Sequence, residues 1–260
     1  MFFVDTHAHL YKEYYPENFD DVLRRSLEAE VTKIILPCVN ANSMPDILEA
    51  VEKHPKHLFP LVGLHPSDVK ADYEEELTQL EKYLSLNDSL IGVGEIGIDL
   101  YHDKTFIKEQ EIAFQRQLTW AAERNLPVSI HIRDGYEEAF RILKPFVQNG
   151  LNGVLHCFSG GIQEARWAVN YGLKLGIGGV VTFKKNKLEN IVKEIGIEHI
   201  VLETDAPFLA PDPYRGKQNE SSYIPLIANK IADIFDIPLA EVRRITSENA
   251  CSVFTKINRN

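Results

Sequence analysis

GVGEIG, residues 92–97, is the stretch on which the fold turns. Gly92, Gly94 and Gly97 spell G-x-G-x-x-G after an apolar run, the spacing of a dinucleotide-binding fingerprint. On that reading the chain is a doubly wound sheet with a pyrophosphate at a helix N-terminus. The surroundings oppose it. IDLYHD (98–103) follows and reads as a loop, with the next helical pattern opening at 106. Glu95 would set its charge against the phosphates, and the motif falls in the fourth β-rich segment rather than the first βα unit. The glycines are expected instead to let backbone pass close to a crowded rim that holds metal.

Outward from this stretch, short β-rich apolar runs recur at even intervals. Residues 2–7, 33–39, 58–65 and 90–97 read as four strands, and 127–132, 153–158, 173–179 and 199–205 as four more. Helical patterns alternate with them. Residues 17–30 set Phe19, Val22, Leu23 and Leu27 on one face, and Ser43-Met-Pro-Asp46 resembles a capping box. The longest helix candidate, 106–125, has a face of Ile107, Ile112, Phe114, Leu118 and Ala121 and is closed by Asn125. A polar loop spans 206–222 before further helices. Eight strands alternating with helices in 260 residues fit a (β/α)₈ TIM barrel, an α/β fold read as one domain over 1–260.

A net charge of −10 argues against a broad basic face that would coat nucleic acid, but leaves room for a local phosphate site. Cys38, Cys157 and Cys251 are too scattered for a disulfide framework or a cysteine zinc site, and suit a reduced compartment. MFFVDTHAHL has no signal-peptide pattern, and no apolar run reaches the roughly 18 residues of a membrane span. The expectation is a soluble cytoplasmic protein with no membrane contact and no obligate protein partner.

The nine histidines fall into two groups. His54, His57, His102 and His199 sit at helix ends, loops or strand entrances and are expected to be ordinary solvated residues. His7, His9, His65, His131 and His156 stand at or just past the C-terminal ends of strands, the face where barrel active sites are built. His7 and His9 share parity and point the same way, and Asp5 below them is placed to orient an imidazole. Glu95 ends the fourth strand and Asp205 the eighth, with Glu203 at matching parity beneath. A carboxylate among apolar neighbours needs a partner, because burying it alone is costly. Four histidines and two carboxylates exceed the needs of one tetrahedral ion. They suit a pair of metals about 3.5–4 Å apart with a bridging carboxylate, an arrangement that activates water for hydrolysis. Asp205 then serves as ligand and general base, and Glu95 as the bridge.

These motifs resemble the TatD family of metal-dependent hydrolases, deoxyribonuclease-like members of the amidohydrolase superfamily. The resemblance runs through DTHAHL (5–10), GLHP (63–66), GEIGID (94–99), QLTWAAERNLPVSIHIRD (117–134), GVLHCFSG (153–160) and ETDAPFLAP with RGKQNE (203–220). It implies His7, His9 and Asp205 around one metal, His131 and His156 around a second, Glu95 between them, and His65 and Glu203 as supporting residues. It also implies the barrel and Mg²⁺- or Mn²⁺-supported cleavage of DNA, single-stranded or at 3′ ends, as a 3′→5′ exonuclease. Two positions depart from the family pattern: Tyr11 stands where Asp or Asn is usual, and Ser221 follows Asn219-Glu220 where Pro is commoner.

Imidazole-rich ligation also suits Zn²⁺ as a bound ion. Arg133, Arg215 and Lys217 are the candidate phosphate contacts. Lys184, Lys185 and Lys187 read equally well as a solvated helix start. Phe208, Tyr214 and Tyr223 are candidates for stacking on a base, against a default of packing. The competing activity is metal-dependent hydrolysis of an amide or ester, such as an aminoacyl-tRNA, since the fold alone does not choose the bond. A purely structural role for the metals is disfavoured, because structural sites are closed and cysteine-rich.

Overall fold

Each β-rich run yields a strand in a computed structural model that describes residues 2–101 and 103–258. The strands are β1 Phe3–Asp5, β2 Val31–Leu36, β3 Leu58–Val62, β4 Gly92–Asp99, β5 Val128–Arg133, β6 Gly153–His156, β7 Lys174–Ile177 and β8 Ile200–Leu202. All pair in parallel and in sequence order. Backbone bonds just past the strand ends join β8 to β1. The Thr6 N–H donates to Leu202 O (3.0 Å), Asp205 N–H to His7 O (2.9 Å) and His9 N–H to Ala206 O (2.8 Å).

Helices α1 Phe19–Glu28, α2 Met44–Lys53, α3 Tyr73–Leu86, α4 Ile107–Arg124, α5 Tyr136–Gln148, α6 Ile162–Asn170, α7 Leu188–Ile195, α8 Ile224–Phe235 and α9 Leu239–Val253 surround the strands. The chain is a (β/α)₈ barrel. Alternate strand residues divide between two apolar clusters. Phe3, Ile34, Leu58, Leu155 and Ile200 belong to the larger one, against the helices. Val4, Ile35, Leu61, Val154 and Val201 belong to the second and so face the barrel interior, where Phe254 and Ile257 join them. Apolar packing fills one end of the barrel and leaves polar chemistry to the other. Among the described residues no helix is long and apolar enough to cross a membrane.

Several local expectations are corrected. β4 continues four residues past Glu95 to Asp99, so the first part of IDLYHD is strand rather than loop, while α4 still opens only at Ile107. β8 stops at Leu202, so Asp205 lies in the following loop, with φ +58°. Ser43 forms no capping box. An Asn40 side-chain turn takes its N–H, and its own hydroxyl donates back to Asn40 O at 2.8 Å. Ile112 is 54% exposed, because the buried face of α4 runs through Ala113, Phe114, Gln117 and Ala121. Asn125 does end α4, in the left-handed conformation. His102 lies outside the described residues. His57 pairs with Thr32 O, while His54 and His199 approach Asp20 and Glu198, all away from the strand-end cluster.

The glycines of GVGEIG serve close strand packing at the rim. A Cβ at Gly94 would lie 2.7 Å from Ser129 Cβ, and at Gly97 (φ +147°) 1.9 Å from His131 O. They let β4 press against β5, where polar side chains of both strands must meet. Gly97→Ala is therefore expected to cost about 2–4 kcal/mol. Ile112→Gln, a change at the misread position, should stay within about 0.5 kcal/mol of wild type. Denaturant unfolding of both variants checks the contrast.

Candidate metal centre

Glu95 owes its position to an irregularity in β4. The register with β5 advances from Val93–Val128 to Ile96–Ile130, one extra residue on β4, which is a β-bulge. The bulge is held across the end of β3: Glu95 N–H donates to Cys38 O, and Cys38 N–H to Gly94 O, both at 3.0 Å. Gly63 allows this approach, since a Cβ there would sit 2.8 Å from Gly94 C. The bulge sends the Glu95 carboxylate into the barrel mouth, where it is 3% exposed.

Five imidazoles meet that carboxylate, and its two oxygens divide them. Oε2 lies 3.1 Å from His7 Nε2 and 3.8 Å from His9 Nε2. Oε1 lies 3.0 Å from His131 Nδ1, 3.2 Å from His65 Nε2 and 3.6 Å from His156 Nε2. Asp205 Oδ1 completes the set, 3.6–3.9 Å from His9, His156 and His7. Two atoms that share one ion at about 2.1 Å stand roughly 3–4 Å apart, so these separations fit shared coordination. His7, His9 and Glu95 converge in this way, as do His7, His156 and Asp205, and His65, Glu95 and His131.

The far nitrogen of each ring tells which imidazoles can offer a lone pair. His131 Nε2 lies 2.9 Å from Asp99 Oδ2, and His156 Nδ1 lies 3.1 Å from Glu203 Oε1 but outside hydrogen-bond geometry. His7 Nδ1 meets Ser129 Oγ and His9 Nδ1 meets the Tyr11 hydroxyl, each at 3.1 Å. All four have an oxygen facing the far nitrogen, which leaves the near nitrogen for a cation. His65 is the opposite case. Its Nδ1 accepts the Ser67 N–H at 3.1 Å, so its Nε2 carries the proton and faces Glu95 Oε1 at 3.2 Å. His65 therefore stands in the inner ring with its proton towards Glu95.

Three of these partners, Ser129, Asp99 and Tyr11, are absent from the sequence-based site. Asp99 had a signal: it lies four residues from Glu95 and shares its parity. Ser129 had none, since its contact with His7 joins opposite sides of the barrel. Tyr11 is the family departure itself, fully buried with its hydroxyl on His9. Asp5 does not orient an imidazole. It accepts the Thr204 hydroxyl (2.6 Å), the Thr204 N–H (3.0 Å) and the His7 N–H (3.2 Å), pinning β1 to the loop after β8.

Electrostatics favour cation binding here. Burial opposes ionisation of Glu95, yet His65, His7 and His156 hold its carboxyl well below the usual range. Asp205 is likewise lowered, against burial, by His9, His156 and His7. Burial pushes His7 down to about 4. His156 rises to about 10 because Glu203 and Glu95 outweigh the burial that opposes its charge. Ionised carboxylates hidden from water need positive partners, and a divalent ion competes with imidazole protons for that place. Cys157 Sγ also groups with His156 and Glu203, but burial and then the Asp205 and Glu203 charges raise its thiol well above normal. A protonated thiol is a poor ligand.

A cavity of about 490 Å³ opens over the centre, lined by His9, His65, Glu95, His131, His156 and Asp205 and also by Tyr14, Arg133 and Phe208. Arg133 stacks on Tyr101, its guanidinium carbon 3.7 Å from the ring centroid. Arg215 and Lys217 are not among the lining residues: Arg215 stacks on Phe183 (4.4 Å) and Lys217 lies over Tyr214 (5.7 Å). Tyr214 and Tyr223 stack on each other at 4.4 Å. Lys187 lines a smaller adjoining cavity.

A barrel carrying this histidine–carboxylate rim on its C-terminal face defines the class of metal-dependent hydrolases. Residues 4–255 match the model of the family described as TatD related DNase, and the chain belongs to that family. It is 36% identical over 251 residues to YabD of Bacillus subtilis, named an uncharacterized metal-dependent hydrolase, covering 96% of this chain and 98% of that one. It is 29% identical over 256 residues to a Pectobacterium carotovorum protein named 3′-5′ ssDNA/RNA exonuclease TatD, with 96% and 98% covered. The crystal structure of the TatD homologue YjjV of Escherichia coli superposes with a TM-score of 0.89 at 28% identity, covering 97% of this chain and 98% of that one.

The Tyr11–His9 contact gives a direct test of the ring's outer support. Tyr11→Phe keeps the buried ring and removes only the oxygen that fixes His9. Divalent-metal affinity, measured by calorimetric titration, should fall about 10-fold with circular dichroism unchanged.

Proposed function

We propose that the chain hydrolyses phosphodiester bonds at the ends of single-stranded nucleic acid, chiefly DNA, with two divalent cations held on either side of Glu95. The observation that carries this reading is the division of the Glu95 oxygens between His7 with His9 and His131 with His156. In this reading His7, His9 and Asp205 would hold one ion and His131 and His156 the other, with Glu95 between the two groups. Bound there, such a pair supplies Lewis acidity and a water acidic enough to yield hydroxide near neutral pH. Mg²⁺ or Mn²⁺ is the proposed working ion, with Zn²⁺ also suited to the imidazoles.

The protein's own groups complete the chemistry. Asp205, on the cavity wall, accepts the proton released as water attacks. His65 Nε2 faces Glu95 Oε1 at 3.2 Å and steadies its charge. Arg133 presents a planar guanidinium suited to two phosphate oxygens at once. Relatives matched over nearly their whole length and named 3′-5′ ssDNA/RNA exonucleases support nucleic acid as the substrate and the 3′ end as the point of attack. Three free cysteines suit a reduced, cytoplasmic setting.

The test is a chelated sample reconstituted with Mg²⁺, Mn²⁺ or Zn²⁺ and given 5′-labelled single-stranded DNA beside aminoacyl-tRNA. Nucleotide release should vanish on chelation and return with metal. Glu95→Gln and Asp205→Asn should each lower it about 100-fold or more, with the fold intact by circular dichroism. Metal-dependent loss of the aminoacyl group without any nucleotide release would sink the phosphodiesterase reading.

A further inference from the structure

The mouth of the centre carries apolar surface that the metal chemistry does not use. Among the described residues the exposed large hydrophobic side chains are Leu86, Tyr101, Ile112, Phe208 and Leu209. Leu86 and Ile112 lie on the outer helices α3 and α4. The other three follow β4 and β8 at the C-terminal face, and Phe208 and Leu209 line the cavity itself.

Phe208 is 47% exposed, and holding a large apolar ring in water forgoes the gain from burying it. Its backbone is nonetheless fixed. Its N–H donates to Asp205 O at 2.8 Å, and its carbonyl accepts from the buried Asn219 Nδ2 at 2.6 Å. The neighbouring rings of His9 and Tyr14 meet it at 74° and 81°, so neither lies flat on its face. An aromatic ring on a fixed backbone, half exposed and adjoining the reaction centre, is preorganised for a planar ligand.

The opposite wall supplies the complementary chemistry. Phe208 and Tyr14 stand on the β8–β1 side, whereas Arg133 ends β5, half a turn round the eight-strand ring. The ligand that satisfies both walls has a flat ring on one side and an anionic phosphodiester on the other. That is a nucleotide whose base is free of its neighbours.

Resting on the phosphodiesterase reading, we propose that Phe208, backed by Tyr14, is the stacking platform for the terminal nucleobase of a single-stranded substrate. Arg133 takes the phosphate across the centre. The platform makes an unstacked end a requirement, because a base paired inside a duplex cannot lie on Phe208.

The test compares two single-stranded oligodeoxynucleotides, one ordinary and one abasic in its last three 3′ residues. In wild type kcat/KM should favour the ordinary strand by about 10-fold or more, the scale of one base–aromatic stack. That ratio should collapse towards one in Phe208→Ala and recover in Phe208→Trp, with metal content by elemental analysis equal in all three. A ratio near one in wild type, or one unchanged in Phe208→Ala, overturns the platform alone. A wild type that cleaves neither strand with any added metal overturns the phosphodiesterase reading and the platform with it.

Discussion

The rest of the structure depends on one costly act, the burial of the Glu95 carboxylate at 3% exposure in the mouth of an otherwise apolar barrel. A lone charge there would be displaced or protonated. It stays ionised because five imidazoles ring it within 3.8 Å. Each imidazole must in turn be held in one orientation, which requires a further layer of oxygen and N–H partners. The polarity of the C-terminal face, the bulge in β4 and the glycine contacts with β5 all follow from accommodating that charge.

Holding the ring demands rigid loops, and buried side-chain amides supply them. Gln117 on α4 pairs with both backbone groups of Leu64, the residue before His65, at 2.6 and 3.3 Å. Two turns earlier on the same face of α4, Gln110 does the same for Asp99, the partner of His131, at 3.0 and 3.1 Å. Asn219 donates to Thr204 O and Phe208 O, on either side of Asp205. Each amide satisfies backbone groups that no strand pairing reaches, and so turns a loop into fixed scaffold. Strain is concentrated in the same places. Cys157, Asp205 and Leu209, all on the cavity wall, hold positive φ without being glycine.

The barrel was legible because its evidence is periodic: eight β-rich runs at even spacing survive an error of two or three residues at each end. The strand-end histidines, Glu95 and Asp205 were legible for a related reason, since strand parity and the C-terminal face select them together. What failed was local or non-local in a way that pattern does not register. The bulge at Glu95 lets β4 run on to Asp99, two residues past the strand end that pattern predicts. Ile112 was read as core because a helical wheel tolerates a neighbour one position away from the true face. The Ser129–His7 contact joins residues 122 apart in sequence, and nothing in either segment announces it. Arg215 and Lys217 lie over aromatic rings in and near their own loop and do not line the cavity.

The −10 charge and the proposed nucleic-acid substrate are reconciled by where the positive charges lie. Many surface cations are committed to carboxylates beside them: Arg24 to Asp21 and Glu28, Arg141 to Glu111, Arg166 to Glu194, Arg244 to Glu241 and Glu248. Pairs of this exposed kind add little stability, but they cancel the field that would draw a duplex along the surface. Arg133 is spent differently, laid flat on Tyr101 at the cavity mouth. Under the proposed function, attraction is then centred on a cavity of about 490 Å³ that admits a strand end. An acidic exterior is not an obstacle to such an enzyme. Under the proposed function it disfavours binding along the polymer and leaves the cavity as the point of attraction.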